Sequence, residues 1–203
     1  MPERVQRQSA LDPLHLAGRA VPEAVGAEVV MAERRFVGMI NLRVEPTNRD
    51  AMTAARGELG FGLPSEPNTV TSGEAVCALW FGPDEWLVTT PATEDARLLA
   101  RLENALAGHH ASAVDVSDAR TVIVLRGARA RDVLAKGCSL DLHPRQFSPG
   151  HCAQTALARA GVLIHQTDDE PAYDIYVDRS FAQYLWTWLE DAAAEYGFVV
   201  VEV

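Results

Sequence analysis

The sequence is poor in the residues and runs that mark special classes of protein. It has three cysteines in 203 residues, Cys77, Cys138 and Cys152. They are scattered and odd in number, with no CxxC pair and no His–Cys set at zinc spacing. That argues against a disulfide scaffold and a zinc module, and the thiols are expected to be reduced in a cytoplasmic protein. No apolar run reaches the ~18 residues that a membrane helix needs. The opening MPERVQRQSALDPLHL is expected to carry no signal-peptide core. Positive charge is also short, with 18 Lys and Arg against 28 Asp and Glu and a formal net charge of −10. Nucleic acid and anionic membranes call for a positive face, so neither is an expected partner. The basic cluster Arg126, Arg129, Arg131 and Lys136 is read as a solvated helix face.

Nucleotide motifs are missing too. No GxGxxG follows a strand and there is no Walker-type glycine loop. Gly57 to Gly62 (GELGFG) follows a helix rather than opening one. The six histidines, His15, His109, His110, His143, His151 and His165, form no ligand set with carboxylates, and no Ser-His-Asp order stands in a nucleophile-elbow context. What is present is an ordinary globular composition, 48% hydrophobic and 23% charged.

The apolar pattern divides the chain. Residues 1–35 hold islands at Leu11, Leu14, Leu16, Val29, Val30 and Met31 between Pro and Gly. They are too apolar for a linker, and read as an arm lying either on its own domain or across a partner. Phe36–Val44 reads as a strand. Asn48 or Thr47 caps a helix Arg49–Leu59, and residues 60–74 read as a loop. Ala75–Phe81 and Trp86–Thr90 form a hairpin across Gly82–Glu85. A helix Thr93–Leu106, with Thr93 as N-cap and Ala96, Leu99, Leu102 and Leu106 inward, precedes a strand Ala113–Val116.

The second half repeats the order. Thr121–Leu125 is a strand, Ala128–Lys136 a helix with Gly137 at its C′ position, CAQTALA and GVLIHQ a hairpin, and YDIYV a strand. A helix capped by Ser180 carries Phe181, Leu185, Trp188, Leu189 and Ala192 on one face, and FVVVEV is the last strand. The expected fold is α+β, two fused ferredoxin-like (β-α-β-β-α-β) halves. The boundaries are an N-terminal arm 1–35, a first half 36–116 and a second half 117–203, in one compact unit with its seam near Val116–Ala119. Trp186 falls off the apolar face. It either tucks under the arm or, with Leu11 and Leu14, forms a partner interface.

The set DVSDARTVIVLRGARARDVLAKGCSLDLHP with YDIYVDRSFAQYLWTWL resembles the γ subunit family of heterotetrameric sarcosine oxidase. The wider pattern is similar to the glycine-cleavage aminomethyltransferase superfamily, and the resemblance spans roughly residues 75–203. It implies an aminomethyltransferase-like fold. It also implies a complex that oxidatively demethylates sarcosine to glycine, forming hydrogen peroxide and methylene-tetrahydrofolate. FAD, FMN, NAD and zinc are then expected on other subunits, with tetrahydrofolate as substrate and no cofactor or metal in this chain. The expected partners are larger flavin- and folate-binding subunits, mainly the largest.

The transferases carry roughly L-N-x-x-G-G-x-x-D-D in a hairpin. Here the Asn position holds Ala158 and the acidic positions hold Ile164 and His165. An Ala cannot hydrogen-bond a ligand and an Ile cannot transfer a proton, so the expected chain is a non-catalytic structural subunit. Asp168, Asp169 and Glu170 read as a solvated turn. Lys136-Gly137-Cys138 is similar to a motif of a folate-binding iron–sulfur-assembly relative, but lies too early in the fold and lacks the residues that follow it there. Two alternatives remain. One is a free-standing folate-binding aminomethyltransferase-like enzyme, with His165 or Asp168 doing the proton work. The other is a homo-oligomeric binding module.

Overall fold

The computed structural model describes residues 7–22 and 26–203. Residues 1–6 and 23–25 of the expected arm, including the start of the stretch read as lacking a signal core, lie outside the described residues. The architecture is mixed α+β and is built on two sheets. The first contains β2 (Gly38–Val44), β3 (Val70–Ser72), β4 (Cys77–Gly82), β5 (Glu85–Thr90) and β6 (Ala111–Asp115), in the order β3-β4-β5-β2-β6. The second contains β1 (Val29–Arg34), β7 (Arg120–Arg126), β8 (Cys152–Leu157), β9 (Ala160–Asp168), β10 (Ala172–Asp178) and β11 (Phe198–Val200), in the order β11-β1-β7-β10-β9-β8. Among the described residues four α-helices accompany them: α1 (Arg49–Leu59), α2 (Asp95–Ala105), α3 (Ala130–Ala135) and α4 (Ala182–Ala193).

Strand alternation sets the layers. Ile40, Leu42 and Val88 point to Ala51, Ala55 and Leu102 of α1 and α2. Their neighbours Met39, Leu79 and Leu87 point the other way, onto Val122, Leu163 and Tyr176 of the second sheet. Ile123, Leu125 and Ile175 of that sheet face Val133, Leu134, Leu185 and Leu189 of α3 and α4. Period-2 side chains thus give each sheet one face for its helices and one for the other sheet. The sheets are also tied by polar bonds: Gln154 Nε2 donates to Phe81 O at 2.5 Å, and Met39 N donates to Ser117 Oγ at 2.9 Å. Ser117 belongs to the DVS motif, and its hydroxyl also reaches Asp115 Oδ1 at 2.6 Å, so the motif fastens the crossing between the sheets.

Many local expectations hold. Asn48 Oδ1 accepts from Ala51 N at 3.1 Å, and Gly60 closes α1 in the left-handed region at φ 84°. The other helix starts differ. Thr93 gives way to Glu94 as N-cap of α2, without a side-chain cap, and Leu98 and Leu102 are its buried residues, with Ala96 exposed. Ser180 lies in a 3-10 turn, Arg179–Phe181, and α4 starts at Ala182. That turn rotates the helix face: Ala182, Leu185, Trp186, Leu189, Ala192 and Ala193 are buried, while Phe181 is 44% exposed. Gly137 takes no left-handed conformation. A Cβ there would lie 2.6 Å from the Trp188 ring, so close packing explains the glycine.

The largest correction concerns the arm. Val29–Arg34 is an interior strand, parallel to β11 and antiparallel to β7. Its run VVMAER is too short to show alternation, so it reads as part of the arm. The chain therefore crosses into the second sheet, returns to build the first, and then completes the second.

Candidate functional site

Between the sheets lies a cleft of about 360 Å³. Arg34, at the end of β1, places Nη2 3.0 Å from Asp174 Oδ1 on β10. His165 on β9 pairs in register with Asp174, which sets the two on one face of the sheet beside Tyr176. Cys77 of β4 and Thr89 of β5 close the cleft from the other sheet. Asp174 is only 7% exposed, and a buried carboxylate requires a partner such as this guanidinium.

His165 is 8% exposed, and its Nδ1 has no hydrogen-bond partner among the described residues. Burial lowers its pKa, opposed by Asp174 and assisted by Arg34, so the imidazole is neutral near pH 7. Burial likewise raises the Tyr176 phenol well above its ordinary range, with Asp174 adding to the effect. Burial opposes the charge on Arg34, but its pKa is raised overall, chiefly through the charge of Asp174 and the hydrogen bond to it.

The other expected residues lie apart. Asp168 ends β9, and it and the turn residues Asp169 and Glu170 that follow are exposed. Ile164 is fully buried on the helix-facing side of β9, opposite His165, so the two acid positions of the resemblance point to different cores. Ala158 sits in the two-residue loop joining β8 to β9, at φ 53°. Cys152 is sealed beneath Thr69 O and Trp80 O, and burial pushes its thiol up to about 12, which makes it unreactive. Among the described residues no group of three His, Cys, Asp or Glu could hold a metal ion.

Two of the expected partner residues, Trp186 and Leu11, are buried within this chain. Trp186 and Leu11 are each 1% exposed, and Leu14 packs partly buried on the same core beneath α4. The arm lies on its own chain: Gln183 Nε2 donates to Ala10 O at 3.2 Å and Arg179 Nη2 to Gln8 O at 2.7 Å. Placing Phe181 inward turned the helical wheel so that Trp186 looked exposed. The cleft escaped the sequence reading because Arg34 ends the unrecognised strand. Its one signal was Asp174, a charge inside the otherwise apolar strand YDIYV.

Comparison with known proteins supplies a family. The family model described as "Sarcosine oxidase, gamma subunit family" matches residues 44–195. A sarcosine oxidase subunit gamma of Corynebacterium sp. (strain U-96) is 36% identical over 190 residues, 90% of this chain and 89% of that one. Its counterpart in Arthrobacter sp. is 34% identical over 186 residues, with the same coverage. A chain of the heterotetrameric sarcosine oxidase from Corynebacterium sp. U-96 superposes with a TM-score of 0.85 at 32% identity, covering 94% of this chain and 96% of that one. The glycine cleavage system aminomethyltransferase T from Bartonella henselae shares the fold, with a TM-score of 0.69 at 13% identity, covering 96% of this chain and 59% of that one.

Proposed function

This chain belongs to the sarcosine oxidase gamma subunit family, and from that premise we propose that it is the gamma subunit of a heterotetrameric sarcosine oxidase and serves there as a structural subunit. The observation that carries the reading is similarity along almost the whole length of both chains, in sequence and in fold. The sarcosine-oxidising chemistry then belongs to the assembled complex. FAD, FMN, NAD and zinc are assigned to the other, larger subunits in a cytoplasmic assembly, and tetrahydrofolate is its one-carbon acceptor. The absence of catalysis by this chain is supported by Ala158 and Ile164, which replace the polar groups of the transferase pattern with an apolar loop residue and an apolar core residue.

The finer fold reading, two ferredoxin-like halves divided at residues 116/117, is supported by strand order. In the first sheet β6-β2-β5-β4 is the order expected of a β-α-β-β-α-β unit, with β3 added at the edge. The second sheet has the same order in β11, β7, β10 and β9, with β1 inserted between β11 and β7.

The test is recovery of the tagged native chain. Co-purification with larger chains that show a flavin absorbance spectrum is expected. The isolated chain should neither oxidise sarcosine nor transfer a one-carbon unit to folate. Recovery as a lone monomer, or turnover above a His165→Ala, Asp168→Ala control, would contradict the reading.

A further inference from the structure

The subunit reading makes no use of the cleft around Arg34 and His165, yet that cleft has the properties of a ligand site. His165 is more than nine-tenths buried and its Nδ1 is unpartnered among the described residues. The face of the sheet that carries it also carries Asp174 and Tyr176, and all three line the cleft. A buried imidazole nitrogen without a partner costs free energy, and folded proteins seldom leave one so. Arg34 makes one side-chain hydrogen bond among the described residues, to Asp174, and its side chain remains 48% exposed. Asp174 thus fixes the guanidinium, whose remaining N–H groups match the two oxygens of a carboxylate.

The cleft is lined by two basic residues, Arg34 and Arg35, and one acidic residue, Asp174, with Arg35 also paired to Asp12 of the arm. Its remaining wall includes Phe36, Val37 and Pro91, and about 360 Å³ leaves room for an apolar body the size of a small ring.

We propose that this cleft binds a small organic carboxylate. The carboxylate lies on the Arg34 guanidinium, and the apolar body rests on Phe36, Val37 and Pro91 beside the His165 ring.

The test is benzoate binding to the full chain, read by calorimetry and by the imidazole proton resonance that His165→Gln removes. Benzamide is the uncharged isostere and inorganic phosphate the non-planar anion. Saturable benzoate binding in the millimolar range is expected, with a shift of the His165 resonance and with benzamide weaker by about tenfold or more. Arg34→Gln should weaken benzoate by a similar factor, and the remote Arg43→Gln should not. Arg34→Lys keeps the charge but not the fork, and should fall between, which covers the case of a poorly folded Arg34→Gln. No saturable benzoate binding by the folded native chain, equal binding of benzamide, tighter binding of phosphate, or affinity indifferent to both Arg34 variants would overturn the proposal.

Discussion

The indole N–H of Trp186 donates to Glu190 Oε1 at 2.6 Å, one helical turn further along α4. The same oxygen receives Arg19 Nη2 from the arm at 2.5 Å. Trp186 is therefore a core residue whose polar atom is used within the chain. Trp186→Ala is expected to cost ~3–5 kcal/mol of folding stability, as large-to-small core changes do. Trp186→Phe should cost less, since it keeps a ring in the core. Urea unfolding of both variants checks this, and an unchanged midpoint for Trp186→Ala would show the indole is not part of the core.

Gly137 sets the place of the second indole. A Cβ there would meet the Trp188 ring at 2.6 Å and Ala158 N at 3.1 Å. Gly137→Ala should cost ~1–3 kcal/mol, the usual range for overpacking. In a Trp188→Ala background the penalty should shrink, because one of the two clashing groups is gone. A double-mutant cycle with no coupling would remove the steric explanation.

Some of this was legible in the sequence and some was not, for identifiable reasons. Asn48 before α1, the Gly82–Glu85 turn and the TVIVL strand carry local signals, and local rules read them well. Val29–Arg34 acquires its role only from β7 and β11, which come about 90 and 170 residues later. The face of α4 depends on whether Phe181 belongs to the helix or to the 3-10 turn before it, and pattern alone does not decide this. The cleft needs three separate strands to bring Arg34, His165 and Asp174 together. The family, by contrast, was carried by ordered motifs that need no tertiary information.

Ala158 holds a left-handed conformation that its Cβ disfavours. The Asn expected there from the resemblance tolerates that conformation, so its replacement removes a polar group and leaves backbone strain. Ala158→Gly should stabilise the chain by ~0.5–1 kcal/mol, the relief of strain outweighing the added freedom of the unfolded chain. A small rise in thermal midpoint is expected. A fall would mean that the Cβ makes contacts worth more than the strain.

His165 predicts the sign of a pH effect. Burial lowers its folded pKa below the unfolded value, so above about pH 6.5 both states are neutral and the group contributes nothing. As pH falls through that value the unfolded state takes up the proton first, and stability is lost until the folded pKa is reached. Thermal melts from about pH 7.5 to about pH 5 should show a steeper decline for the native chain than for His165→Gln. Parallel curves would place the titrating group elsewhere.

The sharpest prediction separates an arm from a strand. If residues 1–35 merely lay on the surface, a chain of residues 36–203 would fold. Among the described residues β1 is the only strand beside β11 and one of two beside β7. Its Val29, Met31 and Ala32 are at most 1% exposed. Glu33 accepts Thr121 Oγ1 at 2.9 Å and also bonds the Ser9 hydroxyl. Each large apolar side chain lost from such a place costs ~1.5–3 kcal/mol, and several together approach the ~5–15 kcal/mol that holds a domain folded. Removal of β1 would also leave β7 as an open, apolar edge, which favours aggregation. The 36–203 chain should therefore be insoluble or lack a cooperative melt. Removal of residues 1–20 alone takes away Leu11 and the Arg19–Glu190 bond but keeps the sheet, and should lower stability without abolishing the transition. A soluble, cooperatively melting 36–203 chain would show that the second sheet closes without β1.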